Sequence, residues 1–210
     1  MEPDFWLDKW ASAQIGFHEP HAHPLLVAHW EALDLAPCAR VFVPLCGKSL
    51  DMCWLAQAGC TIVGIEIAGV AVGDFFAERG LTAERSERGA LVRHEAGAWT
   101  LYHGDFFALA PTELGAVDAV YDRAALIALT PAQRRAYAHH LTALVTPGTR
   151  MLLITLEYDE SLLRPPPFVV MPDEVEALFG SDWRVEQLAV TDAEAKGQPA
   201  RETVFRLDRR

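Results

Sequence analysis

Short apolar runs alternate with longer segments of helical periodicity through most of the chain. The apolar runs predict five strands of a sheet, at residues 41–45, 61–65, 99–103, 117–121 and 151–156. Segments with the length and apolar spacing of helices occur at 49–58, 68–79 and 130–144. Strands that alternate with helices favour a doubly wound, mostly parallel α/β sheet.

The predicted helices carry residues that are typical of helix ends. Gly59 and Gly80 follow two of the helices, where glycine accepts the left-handed backbone that often ends a helix. Thr130, Pro131 and Gln133 stand where a capping residue, a first helical residue and the third residue of a capping box are expected. These residues therefore predict where the helices begin and end.

The segment before the first strand is long for a simple connection. Phe5 and Trp10 fall in a predicted short amphipathic helix, and residues 25–35 predict a second helix with Leu26 and Trp30 on one face. We expect residues 1–36 to pack over the edge of the sheet or over its cleft.

The end of the chain departs from the alternation of strands and helices. Two strand-like runs, at 185–190 and 203–207, have no helical pattern between them, which predicts an antiparallel ribbon at the edge of the sheet. A length of 210 residues suits one well-buried domain, which we predict to span residues 1–210.

Composition narrows the class of function. The formal net charge of -11 disfavours a nucleic-acid surface or an anionic membrane, because phosphate binding needs clustered Lys and Arg. No stretch approaches the roughly 18 apolar residues of a membrane span, and the acidic, aromatic start does not resemble a signal peptide. We expect a monomeric cytoplasmic enzyme of small molecules with reduced thiols at its four cysteines, Cys38, Cys46, Cys53 and Cys60.

A glycine turn follows the first predicted strand, with the sequence Leu45-Cys46-Gly47-Lys48-Ser49. Glu66 ends the second strand. In an open α/β sheet, ligands bind outside the carboxyl ends of the strands. A carboxylate at that place can accept hydrogen bonds from both hydroxyls of a ribose, so the pattern indicates a cofactor that contains adenosine.

Three cofactors compete for this turn. A phosphate loop would end in Gly-Lys-Ser as here, but it needs a glycine at the position of Phe42. A dinucleotide site needs three glycines, and only Gly47 is available. S-adenosyl-L-methionine carries no phosphate and needs one close backbone approach, at Gly47, and a ribose carboxylate, Glu66. Asp105, with Phe106 beside it, follows the third strand and could bind the adenine, so we favour this third cofactor.

At these residues the chain resembles the thiopurine S-methyltransferase family, in its bacterial branch. The matching segments cover most of the chain and are Trp6-Leu-Asp-Lys-Trp10, Gly16-Phe-His18, Val41-Phe-Val-Pro-Leu-Cys-Gly-Lys-Ser49, Val63-Gly-Ile-Glu66, Tyr121-Asp-Arg123 and Pro166-Pro-Phe168. The resemblance implies a class I methyltransferase fold, Rossmann-like, with a seven-stranded sheet that ends in an antiparallel ribbon. It also implies that residues 1–36 form a helical lid over the cofactor.

The resemblance further implies site residues and substrates. It places S-adenosylmethionine contacts at Trp10, Leu45, Glu66 and Arg123, and methyl acceptors that are aromatic or heterocyclic thiols. Bacterial members are similarly linked to selenium and tellurium detoxification, which is the alternative function. Animal members carry an additional Arg where this chain has Ala119, a difference that predicts poor activity on thiopurines themselves.

Arg123 is the residue that we expect to act on the acceptor. A guanidinium cannot serve as a base, but it can orient the acceptor and favour a thiolate. Phe17 is a candidate wall for an aromatic acceptor. The thiol proton could leave to water or be taken by Asp122, and the sequence leaves both routes open. We expect no metal, because the histidines near residue 20 lack a partner set of clear geometry. The rival from another class is a non-catalytic nucleotide-binding module.

Overall fold

The computed structural model describes residues 3–15 and 18–210. In this part of the chain, nine strands form one sheet: β1 (Arg40–Pro44), β2 (Thr61–Glu66), β3 (Glu84–Arg88), β4 (Leu91–Ala96), β5 (Trp99–His103), β6 (Ala119–Arg123), β7 (Arg150–Tyr158), β8 (Trp183–Ala195) and β9 (Gln198–Arg209). Their order across the sheet is β3-β4-β5-β2-β1-β6-β7-β9-β8.

The five central strands, from β5 to β7, are parallel, and an antiparallel hairpin lies at each edge. The hairpin of β8 and β9 confirms the predicted terminal ribbon. The expected count of seven strands is wrong, because β3 and β4 form a second hairpin beside β5. Strand β3 is charged and mostly exposed, so it lacks the apolar alternation by which a strand is predicted.

Seven α-helices complete the described fold: α1 (Pro3–Ala11), α2 (Pro24–His29), α3 (Asp51–Gln57), α4 (Gly69–Ala77), α5 (Pro111–Leu114), α6 (Pro131–Leu144) and α7 (Pro172–Phe179). Short 3-10 turns occur at Trp30–Leu33, Phe106–Ala108 and Leu126–Ala128. Both halves of the capping box predicted at Thr130 are present, and α6 begins at Pro131 as expected. The helix predicted over 25–35 is divided, because α2 ends at His29 and a 3-10 turn follows.

The sheet separates two apolar cores. One contains the rings of Phe42, Phe106 and Tyr137, and the other contains those of Phe75 and Tyr121. Successive side chains of a strand point to opposite faces, so neighbours in sequence serve different cores.

The strand order reverses beside β1. From β1 the chain proceeds outward to β2 and β5, and it then returns to β6 on the other side of β1. In open α/β sheets such a reversal opens a crevice at the carboxyl ends of the strands, and ligands bind there. The ends of β2, β1 and β6 carry Glu66, the glycine turn and Arg123, so the predicted site residues border this crevice.

Among the described residues, we find no helix with the length and apolar character needed to cross a membrane.

Candidate active site

The turn after β1 has an unusual backbone. Leu45 and Gly47 both adopt the left-handed conformation, with φ of 48° and 52°. Ala124, which directly follows β6 across the crevice, has a φ of 66°. Left-handed backbone costs a residue with a side chain about 1–2 kcal/mol, and such strain concentrates at functional sites. The two walls of the crevice therefore both carry strained residues.

Gly47 lies directly against the ring of Trp10. A Cβ added at Gly47 would stand 3.0 Å from Cζ2 of Trp10, so this approach requires glycine. Trp10 is 7% exposed and packs with Ala68 and Ala71 at the start of α4. The indole thus holds α1 against the glycine turn, at the place that a lid would close.

Glu66 links the turn after β1 to the start of α4 through two hydrogen bonds. Its Oε2 accepts a hydrogen bond from the Gly47 N–H at 2.9 Å, and its Oε1 accepts one from the Ala68 N–H at 2.8 Å. Burial raises the pKa of Glu66, while the backbone N–H groups of Ala68 and Gly47 oppose that shift. A carboxylate has about four acceptor positions, so each oxygen retains capacity for a further donor.

Lys48 is turned away from the crevice and toward α4. Its Nζ contacts Glu78 and lies 3.4 Å from Oδ2 of Asp74. The hydrogen bond to Glu78 is the main reason that the pKa of Lys48 is raised. Phe42, where a phosphate loop would have glycine, is fully buried inside β1. The turn therefore lacks the lysine placement and the glycine that a phosphate loop requires.

Asp105 and Phe106 have different surroundings. The Gly104 N–H donates to the Glu66 carbonyl at 2.9 Å, which brings Asp105 next to the end of β2. Asp105 is exposed and caps the following turn through the Phe107 N–H at 2.9 Å. The Phe106 ring is buried and packs against Tyr137 in the core, with ring centroids 4.9 Å apart. Only the backbone of Phe106 is then suited to the cofactor contact that we predicted.

Arg123 lies between two carboxylates at the end of β6. Its Nη1 is 3.9 Å from Oδ2 of Asp51, and its Nη2 is 3.7 Å from Oε1 of Glu19. The Arg123 side chain is 15% exposed. Arg123 therefore borders the crevice, and each edge of its guanidinium faces a carboxylate.

Asp51, which lies 3.9 Å from Arg123, is a candidate site residue that the sequence reasoning missed. It is 2% exposed, and its carboxylate accepts hydrogen bonds from the His23 N–H at 2.7 Å and the Tyr121 hydroxyl at 3.0 Å. Burial, followed by the charge of Asp51, raises the pKa of Tyr121 well above its ordinary value. The available signal was its place in the glycine-turn motif, five residues after Cys46.

Asp122 points to the opposite face of the sheet from Arg123. It is fully buried and accepts hydrogen bonds from the Tyr137 hydroxyl at 2.6 Å and the Leu126 N–H at 3.1 Å. Burial raises the pKa of Asp122 to about 6. Because this carboxylate lies in the core on the far side of the strand, it is not placed to take a proton from an acceptor beside Arg123.

The remaining candidates lie in the N-terminal segment. Phe17 lies outside the described residues. Burial and the charge of Lys48 lower the pKa of His18. His23 accepts a hydrogen bond from the Leu25 N–H through Nδ1, and its Nε2 lies 3.2 Å from Glu202. In residues 3–15 and 18–210, no three His, Cys, Asp or Glu side chains are grouped so as to hold a metal ion.

Comparisons with solved structures reveal the same fold in distant methyltransferases. The magnesium protoporphyrin IX methyltransferase of Synechocystis PCC 6803, solved with SAH, gives a TM-score of 0.67 at 16% identity, with full coverage of both chains. The 1,6-didemethyltoxoflavin-N1-methyltransferase of Burkholderia thailandensis gives a TM-score of 0.68 at 13% identity, over 99% of this chain and 86% of the other. At these identities the likeness concerns the fold alone.

Closer relatives identify the family. A thiopurine S-methyltransferase of Pseudomonas fluorescens (strain SBW25) is 47% identical over 211 residues, covering 100% of this chain and 97% of the relative. Another, of Xanthobacter autotrophicus, is 47% identical over 213 residues and is covered completely. The family model described as Thiopurine S-methyltransferase matches residues 1–210. With its class I methyltransferase fold and its glycine turn joined to a buried carboxylate, the chain belongs to the thiopurine S-methyltransferase family and is an S-adenosylmethionine-dependent S-methyltransferase.

Proposed function

We propose that this S-adenosylmethionine-dependent enzyme methylates the sulfur of aromatic and heterocyclic thiols, with the methyl donor at the glycine turn and the acceptor beside Arg123. The observation that carries the proposal is the joining of Gly47 to Glu66 at the switch point of the sheet, with Arg123 across the same crevice. This arrangement supports a ribose on one wall and an anionic acceptor on the other.

The residues of the crevice fit S-adenosylmethionine. Gly47 offers backbone where a side chain would collide, and Glu66 retains acceptor positions for two ribose hydroxyls. The turn lacks the features that bind phosphates, which this donor does not carry. A positively charged sulfur also suits a chain with a net charge of -11.

Each residue then has a defined task. Leu45 and Gly47 hold the methionine end of the donor, Glu66 accepts the ribose hydroxyls, and Asp105 with the Phe106 backbone meets the adenine. Trp10 excludes water from the glycine turn. When bound, S-adenosylmethionine supplies a methyl group on a positively charged sulfur. The remaining work of the protein is to hold donor and acceptor in line, which is a large source of rate enhancement.

Arg123 prepares the acceptor. An aromatic thiol is acidic enough to ionise in water, so its proton leaves to solvent and no strong base is needed. The guanidinium then binds the thiolate through its N–H groups and orients it. The geometry of Asp122, which faces the other core, supports a route without a protein base. Phe17, outside the described residues, remains our proposed wall for the aromatic ring.

Ala119 does not argue against thiopurines as acceptors. It is fully buried at the start of β6, four residues before Arg123. Four residues of strand span about 13 Å, so a side chain at this position is distant from the end of the strand. We therefore include thiopurines in the acceptor class.

A methyl-transfer panel tests the proposal. Labelled S-adenosylmethionine is offered with a heteroaromatic thiol, the matching heteroaromatic amine, selenite and tellurite, and products are identified by mass spectrometry. We expect S-methylation of the thiol to be fastest. Methylation of the amine alone, or of the selenium and tellurium species alone, would contradict the proposal. The latter outcome would favour the alternative, in which selenium and tellurium species are the acceptors.

Two variants and a stability assay complete this test. Arg123→Ala is expected to lose turnover while remaining folded, and Arg135→Ala, an exposed arginine of α6, is the control that keeps it. S-adenosylhomocysteine should raise the melting temperature, whereas ATP and NAD should not. Stabilisation by ATP alone would favour the nucleotide-binding module.

We also propose that the enzyme works as a monomer in the cytoplasm. The acidic net charge and the small-molecule substrates support this setting. Sedimentation at micromolar concentration is expected to give a mass near 23.2 kDa, and a mass twice that value would contradict the monomer.

A further inference from the structure

The guanidinium of Arg123 is shared by two carboxylates that differ sharply in exposure. The Asp51 side chain is 2% exposed and lies 3.9 Å from Nη1. The Glu19 side chain is 51% exposed and lies 3.7 Å from Nη2. The Nη1 edge of Arg123 is therefore paired with a buried carboxylate, and the Nη2 edge is paired with a carboxylate that is exposed to solvent.

Asp51 cannot easily change its position. It is the first residue of α3, and its Oδ1 accepts the His23 N–H at 2.7 Å. Its Oδ2 accepts the Tyr121 hydroxyl at 3.0 Å. Helix α3, the N-terminal segment and β6 thus converge on one carboxylate.

The charge of Asp51 requires a cation. Burial of a carboxylate is costly unless the charge is paired and hydrogen-bonded. Arg123 is the cation that the described structure brings to Asp51. The side chain of His23 is engaged elsewhere, between the Leu25 N–H and Glu202. The attraction between Asp51 and Arg123 is therefore little screened by solvent, unlike that between Glu19 and Arg123.

We propose that Asp51 is a positioning residue for methyl transfer. With the Tyr121 hydroxyl on the same oxygen, it fixes the Nη1 edge of Arg123 so that the Nη2 edge faces the acceptor. Glu19 occupies the Nη2 edge until an anionic acceptor replaces it. This inference rests on the proposed function, because it assigns Asp51 a role only through Arg123.

A double-mutant cycle tests whether Asp51 acts through Arg123. Asp51→Asn keeps the size of the side chain but removes the charge and presents an amide to the guanidinium. We expect it to lower kcat about tenfold or more, with the affinity for S-adenosylhomocysteine changed less than about threefold. In an Arg123→Ala background the same substitution should lower kcat no further. Equal losses in both backgrounds would overturn the proposal.

Further variants separate positioning from folding. Tyr121→Phe removes one hydrogen bond from Asp51 and keeps its charge, so a loss of kcat smaller than that of Asp51→Asn is expected. Asp51→Glu restores the charge and should recover part of kcat. Glu174→Gln disrupts a second carboxylate–arginine pair, in which a buried arginine, Arg134, lies 2.7 Å from a carboxylate that is 31% exposed. It serves as the control that keeps kcat.

The outcomes distinguish this inference from the proposed function. If the wild type methylates the thiol, and if Arg123→Ala lowers kcat while Asp51→Asn does not, only the role of Asp51 is refuted. The absence of thiol methylation in the wild type, or full activity of Arg123→Ala, would instead refute the proposed function.

Discussion

Substitution of Glu66 should weaken binding of the methyl donor through a local and calculable loss. The carboxylate is 6% exposed and receives the N–H groups of Gly47 and Ala68. We propose that two ribose hydroxyls add to these donors. Glu66→Ala removes the acceptor for all four groups, whereas Glu66→Gln keeps one oxygen and places an NH₂ group opposite donors.

The magnitude follows from the number of hydrogen bonds. A hydrogen bond to a charged group contributes about 1.5–3 kcal/mol. Loss of two ribose bonds in Glu66→Ala should cost at least about 3 kcal/mol, or a Kd weaker by roughly 150-fold or more. Glu66→Gln should lose about half as much, a roughly 10- to 20-fold weaker Kd. Two backbone N–H groups left without acceptors should also lower the free energy of unfolding of Glu66→Ala by about 2–5 kcal/mol.

Titration calorimetry with S-adenosylhomocysteine measures the affinity, at a temperature at which circular dichroism shows every variant folded. Glu157→Gln provides the control, because Glu157 is a strand-end carboxylate that is 8% exposed and bound to Thr203 and Arg201. This control should lose stability and keep its affinity. An unchanged affinity in folded Glu66→Ala, or an equal loss in Glu157→Gln, would refute the assignment of Glu66 to the ribose.

Three further predictions concern other parts of the crevice and its support. Glu19→Gln removes the exposed competitor for Arg123 and should lower KM for thiolate acceptors about 2- to 5-fold in steady-state assays; a raised KM would oppose this. Gly47→Ala forces left-handed backbone on alanine and presses a Cβ against Trp10, so calorimetry should find weaker S-adenosylhomocysteine binding and urea unfolding a loss of about 1–2 kcal/mol or more. Burial raises the pKa of Asp122 from 3.8 to about 6, so the folded protein retains a proton that the unfolded chain releases, and this group destabilises the fold increasingly as pH rises. The free energy of unfolding of Asp122→Asn, relative to that of the wild type, should therefore increase by about 1–1.5 kcal/mol between roughly pH 5 and pH 7.5. A difference that does not change with pH would show that folding does not raise the pKa of Asp122.

Features that depend on neighbouring residues could be predicted from the sequence. The apolar central strands, the capping box at Thr130 and the turn at Gly47 all follow from local patterns, and the structure has them. Glu66 could be placed at the crevice because a parallel strand ends at a known edge of the sheet.

Features that depend on tertiary contacts could not be predicted in this way. Tyr121 and Asp51 are 70 residues apart in sequence, and their hydrogen bond, like the pairing of Asp51 with Arg123, exists only when α3 and β6 meet. The face to which Phe106 points depends on the backbone of the turn after β5, so its burial in the core was also missed. Strand β3 could not be predicted because it carries no apolar pattern. It is held by its backbone pairing with β4, which side-chain periodicity does not reveal.

A crystal structure with S-adenosylhomocysteine and a heteroaromatic thiol tests the central claim most directly. We predict that both ribose hydroxyls donate to Glu66, that the homocysteine part lies along Leu45 and Gly47, and that the acceptor sulfur faces Nη2 of Arg123 while Asp51 keeps Nη1. A ribose bound away from Glu66, or an acceptor that does not contact Arg123, would contradict the account.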